Sequence, residues 1–260
     1  FYVVFSKDIS LKESTLKLAK VALFALIGVG LAAFWLLPVF SALLESKASA
    51  GSTFAWSWNP VNDLVAMPQK FILGSFGEKE WGDSKALPQL FIGGLGLFGL
   101  CTFFAKKEIT IRKKLAATVV LLALLLSFSI QGFDQIWHMG QRPVGFYFRN
   151  SWVANSFMLV LASESLMQWK DEFRLNEFLV AIFGFGSILI LSTLRSLQYV
   201  ETSQKILAFI IWVGIVLIFF LSNAEINRRL QLATGTVIFE MMMSTFVGFK
   251  RVPYFIDNYG

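Results

Sequence analysis

Long apolar runs alternate with short polar segments along most of this 260-residue chain. A membrane-spanning helix needs about 20 mostly apolar residues to cross a hydrocarbon core of about 30 Å. By that criterion the pattern predicts seven spans, which cover residues 21–44, 88–105, 115–133, 153–169, 178–194, 206–222 and 232–249. The predicted fold class is therefore all-α: a polytopic transmembrane helical bundle of about seven spans with a long exterior loop.

The longest polar segment, residues 45–87, separates the first span from the spans of 88–249. It is too long for a simple connection, and its tryptophans argue against disorder, so it should fold against the membrane surface with a short interfacial helix near 61–73. Residues 1–20 are interpreted as the end of a truncated helix and an inner basic segment, and residues 250–260 as the start of a further exterior segment. We therefore expect a fragment of a longer protein.

Charge distribution sets the predicted orientation. Only 15% of the residues are charged, against about 25% in soluble domains. The net charge of +6 does not indicate nucleic acid, because the basic residues lie in short loops between apolar runs. Lys and Arg accumulate in cytoplasmic loops. The basic loop KKEITIRKK, residues 106–114, is therefore predicted to be cytoplasmic, which puts loop 45–87 and the C-terminus on the exterior of the cell membrane.

The segment 134–152, DQIWHMGQRPVGFYFRNSW, joins the third and fourth spans on the predicted exterior side. Arg142 and Arg149 offer guanidinium forks that match phosphate oxygens, or they anchor helix ends at the bilayer boundary. His138, the only histidine, suits a proton shuttle or a hydrogen bond to a backbone carbonyl. Asp134 suits a base or a partner for Arg142, or it is a helix-end carboxylate that faces water.

Four further residues are candidates. Trp58 could stack on a sugar ring or anchor the loop in the membrane, and Asn59 begins a turn. A carboxylate within hydrocarbon is costly, so Glu240 should face the bundle interior and bond to a Ser, Thr or Tyr, or line a lipid or substrate groove. Glu164 lies near the inner surface and could reach the headgroups. No metal-site spacing or cofactor fingerprint is present, so no cofactor is predicted, and a divalent-metal requirement stays open.

Four stretches, taken in order, carry a family resemblance. They are LLPVFSALLESKAS (36–49), SWNPVNDLVAMPQKFILGSFG (57–77), IWHMGQRPVGFYFRNSW (136–152) and VIFEMMMSTFVGFKRVPYF (237–255). Together they resemble the YfhO family of bacterial membrane proteins. The resemblance implies GT-C superfamily architecture, with this chain as the C-terminal half of the membrane region.

The resemblance also implies an activity. Such proteins transfer a sugar from a polyprenyl-phosphate donor, here to an envelope polymer such as teichoic acid, on the exterior face. The expected catalytic carboxylate lies upstream, so the catalytic residue within this chain is unknown and the fragment alone should be inactive. The implied partners are the lipid bilayer, the donor and the polymer acceptor, with no nucleic acid. The alternatives are a transporter or lipid flippase, and a non-catalytic membrane scaffold.

Overall fold

The computed structural model describes residues 11–45, 56–76, 87–138, 147–169, 174–194, 200–221 and 226–250. Within these ranges the chain forms α1 (Leu11–Glu45), α2 (Gly93–Ala105), α3 (Ile111–Ser129), α4 (Gln131–Trp137), α5 (Trp152–Met167), α6 (Leu175–Leu194), α7 (Thr202–Val216) and α8 (Ile226–Lys250). A π-helical turn, Leu217–Leu221, extends α7, and the described residues contain no β-strand. The predicted all-α membrane fold is confirmed.

Each of the seven predicted spans overlaps a helix, but the helices differ in length. Four segments are long and apolar enough to cross a membrane: Thr15–Val39, Leu175–Leu194, Thr202–Phe220 and Asn227–Phe249. The apolar helices α2 and α5 have 13 and 16 residues. At 1.5 Å per residue they extend about 20 and 24 Å, which is less than the hydrocarbon thickness. Helix α3 has 19 residues but carries three basic residues in its first turn. Among the described residues, four of the seven predicted spans are therefore both long and apolar enough to cross a membrane.

Helix α1 presents apolar side chains outward around its circumference. Phe24 is 68% exposed and Leu31 is 79% exposed, and the helix continues through Pro38. A helix that is apolar on every side is suited to lipid rather than to water. We interpret α1 as a lipid-facing span.

Helix α2 lies at the centre of the bundle and packs against α5, α6, α7 and α8. Its Phe98 is fully buried, with ring centroids 6.0 Å from Trp212 and 5.1 Å from Phe219. On another side of α2, Gly99 lies directly on Ala162 of α5, where a Cβ atom would meet the Ala162 carbonyl oxygen at 2.8 Å. The small residue lets the two backbones approach closely.

The two ends of the bundle have different chemistry. At one end, which we call the loop end, residues 56–76 and α4 lie beside the start of α7 and the ends of α3 and α8. At the other, which we call the basic end, Lys106, Lys113 and Arg174 form ion pairs with carboxylates. The sequence-based orientation predicts that the loop end is exterior and the basic end cytoplasmic.

The segment predicted as an interfacial helix, residues 61–73, has a different structure. Only Met67–Phe71 is helical, as a five-residue 3-10 helix. Lys70 and Ile72 are fully buried, and this short helix contacts α6, so the segment is inserted into the protein rather than resting on a membrane surface. Lys70 Nζ donates to the Ser75 carbonyl oxygen at 2.6 Å, which partly satisfies the buried ammonium.

Candidate functional site

Two polar segments that are distant in sequence meet at the loop end. The Val61 amide donates to the Ser129 carbonyl at 2.7 Å, and the Gln131 amide donates to the Asn59 carbonyl at 3.1 Å. Just beyond, the Gly132 amide donates to the Ser57 carbonyl at 2.9 Å. These bonds hold Trp58 and Asn59 against the start of α4, so the long loop and the segment that follows α3 share one surface.

An aromatic group covers this junction. The rings of Trp56, Trp58 and Phe133 pack edge to face, with centroids 5.1 to 6.1 Å apart. Gly132 makes the packing possible, since a Cβ atom there would lie 2.8 Å from the Trp56 ring. Trp58 remains 67% exposed, so one aromatic surface is open to a ligand or to lipid.

Helix α4 brings Asp134 and His138 together. His138 Nδ1 lies 2.9 Å from the Asp134 carbonyl oxygen and 3.7 Å from its carboxylate Oδ1. The backbone contact is the one expected of an interfacial histidine. Asp134 itself is only 5% exposed, so the expectation of a water-facing carboxylate is wrong. It is buried because α4 lies between α3 and the chain around residues 57–59.

Gln135, next to Asp134, was missed by the sequence reasoning. It is 3% exposed, and within the described part of the chain its Oε1 has no hydrogen-bond partner. Buried acceptors in folded proteins usually have a hydrogen-bond partner, so this oxygen is available to a water molecule or a ligand. The sequence held no signal for it, because a lone glutamine near a helix end is ordinary.

The two candidate arginines are described unequally. Arg142 lies outside the described residues, and Arg149 is described by its backbone alone, as the first residue of the 3-10 turn Arg149–Ser151 before α5. Phe148, which precedes this turn, is 1% exposed and has a left-handed φ of 58°. That conformation is strained for an aromatic residue and is tolerated where surrounding packing enforces it. The strained turn thus fixes the backbone from which Arg149 projects.

Glu240 of α8 caps the start of α2. Its carboxylate oxygens lie 2.9 and 2.7 Å from the Gly94 amide nitrogen, and the residue is 4% exposed. Gly93 has a φ of +76°, and a Cβ there would meet a Glu240 oxygen at 3.3 Å, so glycine opens the space for the carboxylate. A negative charge at a helix N-terminus is favourable. The partner is a backbone amide, not the Ser, Thr or Tyr that was expected.

The basic end contains a buried ion pair that the sequence reasoning also missed. Lys106 Nζ lies 3.4 Å from Glu177 Oε2 and 4.7 Å from the Trp169 ring centroid. Arg174 bridges Glu177, at 3.4 Å, and Glu108, at 2.7 Å. The signal was present in the mixed charges of KKEITIRKK and KDEFRLNE, but charges in short loops were interpreted as topogenic.

Glu164 belongs to this basic end. Its carboxylate pairs with Lys113 at the start of α3. The pair links α5 to α3, and the Glu164 side chain remains partly exposed at the basic end. Nearby, burial lowers the pKa of Lys114, and the carboxylates of Glu108 and Glu177 oppose that shift.

The arrangement of polar loops at one end of a helical membrane bundle agrees with a comparison to known families. The family model of the bacterial membrane protein YfhO matches residues 1–254. The chain belongs to the YfhO family. Comparisons with curated proteins and with solved structures return no match. The YfhO family is part of the GT-C superfamily, and the apolar helices make this member a multi-pass membrane protein.

In this YfhO-family chain the candidate residues fall into three places. Trp58, Asn59, Asp134 and His138 share the loop end, whereas Glu240 lies under it at the start of α2 and Glu164 lies at the basic end. Among the residues that the structure describes, no group of three or more His, Cys, Asp or Glu side chains could hold a metal ion.

Removing the Glu240 carboxylate should destabilise the bundle. In Glu240→Ala the Gly94 amide loses its acceptor within a buried interface, which costs about 1–3 kcal/mol. Glu240→Gln keeps an acceptor oxygen and should lose less. Thermal unfolding in detergent measures both, with Met241→Ala as the control because Met241 is 63% exposed on the same helix. Equal stability of Glu240→Ala and Met241→Ala would show that the cap contributes nothing.

Proposed function

We propose that this YfhO-family protein transfers a sugar from a polyprenyl-phosphate donor to a cell-envelope polymer such as teichoic acid, on the exterior face. The observation that carries the proposal is the joining of residues 57–61 to α4, which brings the exposed Trp58 beside Phe133, next to Asp134 and on the same helix as it. Family membership supports the reaction class.

The chemistry divides among the candidate residues. The acceptor hydroxyl oxygen forms a bond to the anomeric carbon, and the carbon–oxygen bond to the phosphate breaks. The electron pair leaves with the phosphate, where Arg142 and Arg149 would stabilise the developing charge. The hydroxyl proton passes to a base that we do not assign to this chain. Trp58 would stack on the apolar face of a sugar.

Asp134 and His138 then have a positioning role. The carbonyl and carboxylate of Asp134 face His138 Nδ1, which leaves Nε2 as the ring atom that can meet a ligand. The Oε1 of Gln135, which has no hydrogen-bond partner among the described residues, offers an acceptor for a hydroxyl group. These groups would form hydrogen bonds with the hydroxyl groups of the sugar, and the arginines would bind the phosphate of the donor.

Loss of either arginine should abolish sugar transfer without affecting membrane insertion. In the complete protein, Arg142→Ala and Arg149→Ala should each lower transfer from a radiolabelled polyprenyl-phosphate sugar by about 100-fold, as removal of a group that stabilises developing charge does. Arg112→Ala is the control, because Arg112 is exposed at the basic end. Wild-type transfer by both loop variants would remove these arginines from the site.

One observation bears on a lipid flippase as a second candidate. Helix α2 is short and its N-terminus lies against the Glu240 carboxylate, whereas the short half-helices of transporters point their N-termini at anionic groups of the substrate. Movement of a lipid across proteoliposomes that contain no sugar donor, together with no transfer when the donor is added, would favour this function over the glycosyltransferase.

A further inference from the structure

A separate pocket lies between the start of α7 and the end of α8. Its volume is about 400 Å³, within the range of small-molecule sites. Leu207 of α7 and Met243, Phe246 and Val247 of α8 form its apolar part. Both helices are long and apolar enough to span a membrane, so the pocket lies between two candidate spans.

The mouth of the pocket is polar and acidic. Glu201 and Ser203 line it, and the Ser203 hydroxyl donates to Glu201 Oε2 at 3.2 Å. A carboxylate and a hydroxyl accept hydrogen bonds from the hydroxyl groups of a ligand. The same carboxylate repels the negative charge of a phosphate.

The pocket is held in shape by the inserted loop. Gln204 Nε2 donates to the Leu73 carbonyl at 3.0 Å and to the Gly74 carbonyl at 2.7 Å, while its Oε1 accepts from the Glu201 amide at 2.7 Å. Gly74 has a φ of +65°, and a Cβ there would lie 2.6 Å from Val247 Cγ1. Because the loop, α7 and α8 meet at this glutamine, the pocket wall is formed before any ligand arrives.

We propose that this pocket binds a membrane lipid whose headgroup is an uncharged sugar or polyol. The alkyl chain lies against Leu207, Met243 and Val247, and the headgroup hydroxyls bond to Glu201 and Ser203. The site differs from the proposed transfer site in both place and charge preference, because it excludes the phosphate that the arginine-bearing segment would bind. Lipid binding in this pocket can therefore be tested separately from sugar transfer.

Photolabelling with two matched probes tests this site. One probe is a diazirine-tagged alkyl glucoside, and the other carries the same chain on a phosphate. The complete protein in phosphatidylcholine nanodiscs should be labelled by the glucoside at residues 243–247, and unlabelled alkyl glucoside should compete. The phosphate probe should label that segment about tenfold less, because of the carboxylate. Equal labelling by both probes, or labelling that is not competed, would overturn the proposal.

Adjacent methionines provide a matched pair of variants. Met243→Trp fills the pocket and should lower the competed labelling at least about fivefold, since a packed side chain leaves no room for the chain. Met242→Trp should leave it unchanged, because Met242 is 66% exposed outside the pocket. Leu207→Phe fills the opposite wall and replaces Met243→Trp if that variant is not monodisperse. Equal labelling of the filled and control variants would contradict the assignment.

Glu201→Gln tests whether the charge of this carboxylate causes the preference for the glucoside headgroup over the phosphate headgroup. The variant keeps an oxygen that can cap α7 but removes the negative charge. Labelling by the alkyl phosphate should rise toward that of the glucoside, while labelling by the glucoside stays within about twofold of the wild type, because hydrogen bonding is retained. An unchanged preference in Glu201→Gln would show that this carboxylate does not select the headgroup.

Discussion

Gly99→Leu should prevent the bundle from assembling. A Cβ atom at position 99 would lie 2.8 Å from the Ala162 carbonyl oxygen, 2.9 Å from its Cβ and 3.1 Å from its Cα. These are mainly backbone contacts, so α2 and α5 would have to separate along the interface at the centre of the fold. Overpacking of this kind costs typically about 1–3 kcal/mol for small additions and more for a branched side chain against backbone.

A second glycine provides the control for this result. Gly186 of α6 has nothing within 4 Å of the position that its Cβ would take. Gly186→Leu should therefore give monodisperse protein with a wild-type unfolding temperature, whereas Gly99→Leu should aggregate and Gly99→Ala should unfold at lower temperature. Size-exclusion chromatography and thermal unfolding in detergent distinguish the variants. Similar behaviour of Gly99→Leu and Gly186→Leu would contradict the close α2–α5 packing.

Lys106→Ala should be the most damaging change at the basic end. The Lys106 and Glu177 side chains are 2% and 4% exposed, so removing the ammonium leaves a buried carboxylate whose remaining ion-pair partner among the described residues is Arg174, at 3.4 Å. Removing one partner of a buried ion pair lowers the free energy of unfolding by about 3–5 kcal/mol. We expect a loss of about 3 kcal/mol, because Arg174 still pairs with the carboxylate. The neighbouring exposed Lys107 gives the control, since Lys107→Ala should change stability by less than about 0.5 kcal/mol.

The double variant Lys106→Met with Glu177→Leu tests whether the lost stability comes from the carboxylate that is left buried without its ammonium partner. Both side chains then become apolar, so most of the loss in Lys106→Ala should be recovered. Unfolding of the wild type, of Lys106→Met, of Glu177→Leu and of the double variant completes a double-mutant cycle. If the single and double variants lost the same stability, the damage would come from packing around Trp169 rather than from an unpaired carboxylate.

The sequence predicted which segments are helical better than it predicted where each helix begins. Long apolar runs in the sequence predicted α1 to α3 and α5 to α8, because each of these helices is encoded by the residues of its own run. The start of α2 at Gly93 was not predictable from that run, since it depends on Glu240, more than 140 residues away along the chain. Residues 88–92 are not helical, so the predicted span began too early.

The candidate site was predicted as separate pieces. Composition singled out Trp58, Asp134 and His138, but the backbone bonds that join residues 57–61 to residues 129–132 are non-local and leave no pattern in either segment. Burial of Asp134 and Lys106 was missed for a related reason. A charged residue in a short loop has the same sequence signature whether it faces water or pairs inside the protein.

Cysteine accessibility tests most directly whether the loop end faces the exterior, as transfer on that face requires. In a Cys101→Ala background, which removes the only cysteine, Asn59→Cys and Lys107→Cys report on the two ends of the bundle. Both side chains are exposed. An impermeant maleimide applied to intact cells should label Asn59→Cys and should label Lys107→Cys only after permeabilisation. The reverse pattern would put Trp58 and α4 in the cytoplasm and contradict sugar transfer at the exterior face.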